Sequence, residues 1–305
     1  MSAEAYLPLL RMSIAMQNDP KISTTPTEMD PERRQWLQEA ITELTKNPVD
    51  ELKKAVEKVK EGKTEEEKLK GLEDIMSFVE QIDLAKDLHK IGGFSTVISL
   101  LDDSSEKVRA AAAQVVGTTV HNNPEPQKLA NELGALNGLV RILSNPDATP
   151  NELTKSLYGI SSLIRHNDEA TVKFVKEHKG LALTLNVLGL AYNGEASEKF
   201  LPAKRKAIFV MLYIITRAPA IIPATAPSIV PQVSTALKAH ANDPDFRENA
   251  LLVLQVFSMN DKVNLSNEHK KMAFDSARHT LEITKREEDE KSQQVCEELL
   301  VAWKI

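Results

Sequence analysis

The groups in this 305-residue chain that could ligate a metal or move a proton are seven histidines, one cysteine and 44 acidic side chains. None is spaced for either task. There is no phosphate loop, no Gly-x-Ser-x-Gly, no His-Glu-x-x-His and no paired-cysteine zinc spacing. The histidines are scattered singly. His121 and His166 fall where helical patterns end, and there an imidazole interacts well with a helix C-terminus. Glu65-Glu66-Glu67 and Glu287-Glu288-Asp289-Glu290 have lysines nearby and read as solvated faces. Cys296 lies beside an apolar stripe and reads as an inert thiol. What remains is recognition chemistry: arginine and tyrosine, which carry a disproportionate share of interface energy, recur here at Arg165, Arg217, Tyr158 and Tyr213. The expectation is a protein without enzymatic activity, cofactor or metal.

The totals narrow the partners. The formal net charge is −6, so no global basic field invites nucleic acid or an anionic membrane. No run of 18 apolar residues is present, so no membrane-spanning helix is expected. The apolar run Ala5–Leu10 is short and Arg11 interrupts it, which does not fit a secretory leader. The sequon Asn264-Leu265-Ser266 then carries no meaning, and the lone cysteine suits a reducing compartment. These features predict a cytoplasmic monomer.

The elements that must position the arginines and tyrosines repeat along the chain. Gln114–Asn123 aligns with Tyr158–Asn167, 44 residues on. The register continues at Phe209–Arg217, 51 further, and at Leu252–Phe257, 43 further; Glu73–Glu80 precedes Gln114 by 41. A second marker keeps the same order: Gly92-Gly93-Phe94, then Gly134-Ala135-Leu136, then Gly180-Leu181, each followed by an apolar helical stripe. A helix-only period of roughly 40–47 residues belongs to armadillo and HEAT repeats. The predicted fold is all-α, a right-handed α-solenoid of armadillo-like repeats with helical caps.

In chain order, residues 1–30 read as a mobile arm and linker, with an amphipathic piece over Tyr6–Met16. That piece is either a terminal helix on the body or a peptide that a partner grips. Residues 31–63 are N-terminal capping helices. Asp30-Pro31 starts the first, and Trp36, Leu37, Ala40, Ile41 and Leu44 share a face on it. Val49, Leu52, Val56 and Val59 stripe the second. Residues 64–262 hold about four to five repeats. The first long helix buries Leu69, Leu72, Ile75, Met76 and Val79, and Tyr192–Leu201 is a polar insertion. Pro219–Ser228, with three prolines in close succession, predicts a kinked or degraded element. Residues 263–305 are capping helices with an apolar stripe of Val295, Leu299, Leu300 and Trp303.

Stacked units curve, and one helix of each lines the inside. Its inward positions are Glu73 and Ser77, Gln114 and Thr118, Tyr158 and Ser162, Phe209 and Tyr213, with His121, Arg165 and Arg217 near the helix ends. They are either contacts for a partner or the exposed side of ordinary helices.

Several stretches together resemble one family. Leu9–Ala15 is similar to its N-terminal segment and Pro31–Ala40 to its first body helix; Val108–Thr118 and Ser156–Arg165 resemble its second and third repeat helices. The family is the armadillo-type nucleotide exchange factors of the seventy-kilodalton heat-shock chaperones, in its cytosolic branch. The resemblance implies a concave face that grips one lobe of the chaperone's nucleotide-binding domain, displaces it and promotes ADP release. It also implies that the arm, through Leu7, Leu9, Leu10, Arg11 and Ile14, helps free clients by occupying the chaperone's peptide site. The alternative is an armadillo adaptor or scaffold for another protein or peptide. Nuclear import receptors of that kind rely on a tryptophan–asparagine ladder, and Gln114/Thr118, Tyr158/Ser162 and Phe209/Tyr213 stand at those positions instead.

Overall fold

The computed structural model describes residues 30–45, 47–190 and 195–304, and all regular structure among them is helical. Leu7, Leu9, Leu10, Arg11 and Ile14 lie outside the described residues, as do positions 191–194 of the polar insertion. The chain divides between Glu51 and Leu52 into two compact units.

The described part of the first unit is α1 (Pro31–Thr45) and the opening turn of α2 (Pro48–Glu61). On α1 the expected shared face is split: Ala40 is buried and Leu37 half-buried, whereas Trp36 is 43% and Ile41 57% exposed. Neighbours in sequence lie about 100° apart around a helix, so Trp36 and Ile41 sit on the flanks of the Leu37–Ala40 line.

The second unit is a stack of helical repeats. The rest of α2 buries Leu52, Val56 and Val59. Then come α3 (Glu65–Val79), α4 (Ile82–Lys90), α5 (Gly93–Ser99), a 3-10 turn (Leu100–Asp102) and α6 (Glu106–Val120). The next repeat is α7 (Pro124–Glu132), α8 (Ala135–Ser144) and α9 (Pro150–Ile164). After it follow α10 (Asp168–Val172) with a π-turn (Lys173–Glu177), α11 (Gly180–Leu188) and the long α12 (Glu195–Arg217). A 3-10 turn (Pro219–Ile221), α13 (Ile222–Ala239) and α14 (Pro244–Ser258) precede α15 (Asn267–Glu287) and α16 (Glu290–Ala302). The long helices form one continuous row, since α3, α6, α9, α12, α14 and α16 each pack against the next.

Local sequence dictates these boundaries. Thr64 with Glu67, and Thr149 with Glu152, close reciprocal caps at the starts of α3 and α9, each satisfying two backbone donors. Gly92 and Gly134 take φ of 71° and 77° at the starts of α5 and α8. At the start of α11 that conformation falls on Lys179, with φ 53°. The repeat marker there is therefore Lys179-Gly180, one residue earlier than the glycine match suggests. Gly180 is small for another reason: a Cβ there would lie 2.5 Å from the Phe174 ring.

Two sequence expectations are corrected. Pro219–Ser228 is not a degraded element: α13 runs unbroken through Pro227 and Pro231. Prolines 219, 223, 227 and 231 recur every fourth residue, so their missing donors fall on one outer face, where each is exposed or half-buried. Second, Pro219–Ala239 is long and apolar enough to cross a membrane by length and composition, contrary to the reading of apolar runs. In the fold it is a core helix that buries Ala226, Ile229, Val230 and Val233 and packs against α14 and α15. The polar insertion is helical from Glu195 on, with Pro202 inside α12. The C-terminal stripe does pack: Leu299 and Trp303 are buried and Val295 and Leu300 half-buried. Cys296 is fully buried, and desolvation pushes its thiol up to about 12, which leaves no thiolate at neutral pH.

A recurring ion pair sets the register of the long helices. A basic side chain of one helix reaches the acidic start of the next: Lys68 to Asp103 at 2.6 Å, Arg109 to Glu152 at 2.7 Å and Arg205 to Asp243. Arg247, only 2% exposed, bonds Glu287 at 2.7 Å and Asp289 at 2.9 Å. Burial raises the Asp103, Asp243 and Asp289 carboxyls, but their hydrogen bonds and cationic partners outweigh it and hold all three below the ordinary carboxylate range. A carboxyl depressed in the fold contributes its full stability above its unfolded pKa, near 4, and loses it as pH falls further. Asp243→Asn keeps the α14 cap and removes the charge. It should lower stability at pH 7 by about 1–2 kcal/mol. The difference from the parent should shrink towards zero near pH 2 in urea denaturation.

Candidate functional site

The inward residues predicted from sequence are brought together on the row of long helices, in two groups. Glu73 and Ser77 on α3 line an open groove of about 720 Å³ with Gln114 on α6. Leu69 and Met76 line the same groove and are half-buried, so they face it rather than the core as the stripe suggested. Glu73 is paired with Lys70 at 2.8 Å, and the Ser77 hydroxyl donates to its own helix at Asp74 O.

The second group spans α6, α9 and α12 and alternates cations with aromatic rings. His121, which caps the C-terminus of α6, stacks on Tyr158 of α9 with ring centroids 6.5 Å apart. The Thr118 and Tyr158 hydroxyls are hydrogen-bonded at 3.3 Å. Lys206 of α12 stands 5.7 Å over the other side of the cluster, at the Tyr158 ring. Arg165, the cap of α9, lies 4.8 Å over Phe209, and Arg217 lies 5.9 Å over Tyr213. The Tyr213 hydroxyl donates to Ile164 O at 3.2 Å and accepts from the His166 amide at 3.1 Å. That contact holds His166 at its φ of 59°, the position Asn122 occupies one repeat earlier.

Two placements differ from expectation. Ser162 is 5% exposed, so it faces the neighbouring helix and not a partner; its carbonyl accepts from the buried Gln127 amide at 2.9 Å. Arg165 is half-buried on Phe209 instead of free in solvent, and its own carbonyl accepts from Gln127 at 3.0 Å. Three residues escaped the sequence reading. Lys206 lies one turn before Phe209 on the same face, so running the helical period one turn further back finds it. Lys155 is half-buried on α9, where burial first and the charge of Lys206 second push its ammonium below the ordinary lysine range. Gln127 has no signal in its own segment; its role comes from the repeat above.

Small residues allow the ring cluster to form. A Cβ on Gly117 would lie 2.6 Å from the Tyr158 ring, and one on Gly159 would lie 2.9 Å from Leu139. Among the described residues, no group of three or more His, Cys, Asp or Glu side chains is placed to hold a metal ion. What the face offers is cation–π contact and rigid aromatic area, which is recognition chemistry.

Stacked helical repeats with a cation–aromatic row on their long helices define an armadillo-type α-solenoid. A designed armadillo repeat protein solved with the peptide (KR)4 superposes with a TM-score of 0.59 at 21% identity, over 82% of this chain and 99% of that one. Residues 8–88 match the family described as nucleotide exchange factor Fes1, and residues 84–216 match the SIL1/FES1/HPBP1 C-terminal domain. The two matches together span residues 8–216 of the chain. Hsp70 nucleotide exchange factor FES1 of Eremothecium gossypii is 29% identical over 133 residues, 43% of this chain and 46% of that protein. Nucleotide exchange factor SIL1 of Rattus norvegicus is 30% identical over 169 residues, 49% and 36% respectively. Hsp70-binding protein 1 of Homo sapiens is 27% identical over 183 residues, 55% and 50%. The chain thus spans between about a third and a half of these relatives' lengths.

Gly117→Ala forces the Tyr158 ring away from α6. It should cost about 1–3 kcal/mol in a denaturant titration and change the tyrosine near-ultraviolet dichroism. An unchanged spectrum would contradict the packing described for Tyr158.

Proposed function

We propose that the chain is a nucleotide exchange factor that binds the nucleotide-binding domain of a seventy-kilodalton heat-shock chaperone through the concave side of its repeats. The observation that carries this reading is the cation–aromatic row His121–Tyr158–Lys206, Arg165–Phe209 and Tyr213–Arg217 on consecutive long helices, in a chain whose residues 84–216 match the SIL1/FES1/HPBP1 C-terminal domain. Relatives named for Hsp70 binding and for nucleotide exchange support the choice of partner.

The mechanism is linkage. A rigid face that fits the chaperone with one lobe displaced binds the open, nucleotide-poor state more tightly than the closed one. It therefore lowers nucleotide affinity by the same coupling free energy. ADP leaves and ATP rebinds. No group on the factor transfers an atom or a proton, so the protein acts as a non-enzymatic regulator. The rigidity comes from the stack: Gln127 ties the end of α9 to α7, and Tyr213 ties it to α12.

Under this reading the chain works as a cytoplasmic monomer. The division into an arm and linker at 1–30, capping helices at 31–63, repeats at 64–262 and a cap at 263–305 assigns the binding surface to the repeats alone. The Fes1 match begins at residue 8, inside the arm, which supports a share in the function for Leu9, Leu10, Arg11 and Ile14.

Labelled ADP loaded on a cytosolic seventy-kilodalton chaperone should leave faster when the protein is added at micromolar concentration; unaccelerated release would reject the proposal. Arg165→Glu removes the cation from Phe209 at a half-buried helix end. It should weaken the complex by about 30-fold or more while the circular-dichroism melt stays within a few degrees of the parent. Unchanged affinity would reject this face as the binding surface.

A further inference from the structure

The acidic and basic side chains of this chain are otherwise well matched where the repeats meet. Lys68, Arg109, Arg205 and Arg247 each hold a carboxylate of the following repeat, and Lys107 holds Glu65 at 2.9 Å. One place breaks the pattern. Lys155 on α9 and Lys199 and Lys206 on α12 have no ion pair among the described residues; Lys155 shares a pocket with Lys199 and feels the charge of Lys206. Acidic residues outnumber basic ones, 44 to 38, so carboxylates for such pairs are abundant in the chain. Three ammonium groups without a carboxylate partner on neighbouring stretches of two helices therefore mark a position where the chain leaves the counter-charge to something else.

The geometry says what that is. Lys155 and Lys199 line a pocket of about 480 Å³ with Thr149, Asn151, Thr154 and Pro202. Lys155 is half-buried, and it suffers both desolvation and the repulsion of Lys206, a cost that an incoming anion would relieve. Lys206 lies over the Tyr158 ring and its charge bears on Lys155 in the pocket, so it links the pocket to the cation–aromatic row. Two other charges frame it: Lys107, already held by Glu65, and Glu106 on the rim. The lysines are spread over two helices rather than converging on one point. Glu106 disfavours a compact, multiply charged phosphate. Separate carboxylates on an extended surface match the spacing better.

We propose that Lys155, Lys199 and Lys206 form a receptor for a carboxylate-rich surface segment of the protein partner, with one acidic side chain entering the pocket to reach Lys155. This rests on the reading of the long-helix row as the partner-binding face, and it names the chemistry the partner must bring to one end of that face. The lysines act as point charges that steer encounter and set register, while the aromatic row supplies contact area.

The test uses the full chain. Affinity for the chaperone nucleotide-binding domain is measured by titration calorimetry between low and high salt, for the parent, for Lys155→Met/Lys206→Met and for Lys155→Arg/Lys206→Arg. The parent should weaken steeply with salt. The methionine variant should bind about tenfold more weakly at low salt with most of the salt dependence gone, and the arginine variant should bind like the parent. Equal salt dependence in parent and methionine variant would overturn the proposal even where ADP release confirms the chaperone as partner. A fluorescent hexaglutamate peptide serves as a probe independent of any chaperone. Binding to the parent and not to the methionine variant supports the receptor. Displacement of no peptide together with saturable binding of inorganic phosphate would overturn it, since the pocket would then take a small anion.

Discussion

Everything on the candidate face depends on the register between one long helix and the next, and that register is set by charge. Apolar packing alone is tolerant: the interfaces between α6, α9 and α12 are built from Val, Leu, Ile and Ala side chains that slide past one another at modest cost. The ion pair from one long helix to the acidic start of the next is not tolerant. Glu152 shows this most clearly. It is 1% exposed, it closes the Thr149 cap of its own helix, and it receives Arg109 from the helix below. A shift of one residue would leave a buried carboxylate and a half-buried guanidinium unpaired, at a cost of several kcal/mol. The fold thus uses its most expensive groups where position matters.

With register fixed, the aromatic row follows. Tyr158 meets His121 because Gly117 leaves room for its ring, and Tyr213 meets the end of α9 on a helix that Arg205, two turns earlier, ties to Asp243. The left-handed residues Asn122 and His166 occupy equivalent turns, yet only His166 is held from the next repeat. The face is consequently stiffest around α9, where Gln127, Tyr213 and Arg109 converge from three different elements. A factor that shifts a partner's equilibrium by differential affinity needs this stiffness, because a compliant face would fit both partner states alike.

The repeat architecture was legible in the sequence because it is written in short-range chemistry. Apolar period, capping residues and Asn122-Asn123-Pro124 each act within one turn of chain. The α13 helix was not, because three prolines in a short span read as damage until their spacing of four is seen to place every missing donor on the outer face. The Gly180 marker misled by one residue because a glycine can be required by a neighbour, here Phe174, as well as by its own backbone. At the site, the face was legible and its internal pairing was not. Helical spacing placed Tyr158, Phe209 and Tyr213 together. That Arg165 would lie on Phe209, that Ser162 would be buried, and that Lys155 and Lys206 would meet are consequences of inter-repeat geometry, which no single helix encodes.

The chain's one cysteine, buried Cys296 with its thiol pushed up to about 12, leaves the surface open to cysteine mapping. Photo-crosslinkers attached through Gln114→Cys and Arg217→Cys on the long helices, and through Asn137→Cys, exposed on α8, report directly which side meets the proposed partner, the chaperone nucleotide-binding domain. Crosslinks from positions 114 and 217 and none from 137 are the result this account predicts. Crosslinks from 137 alone would contradict it.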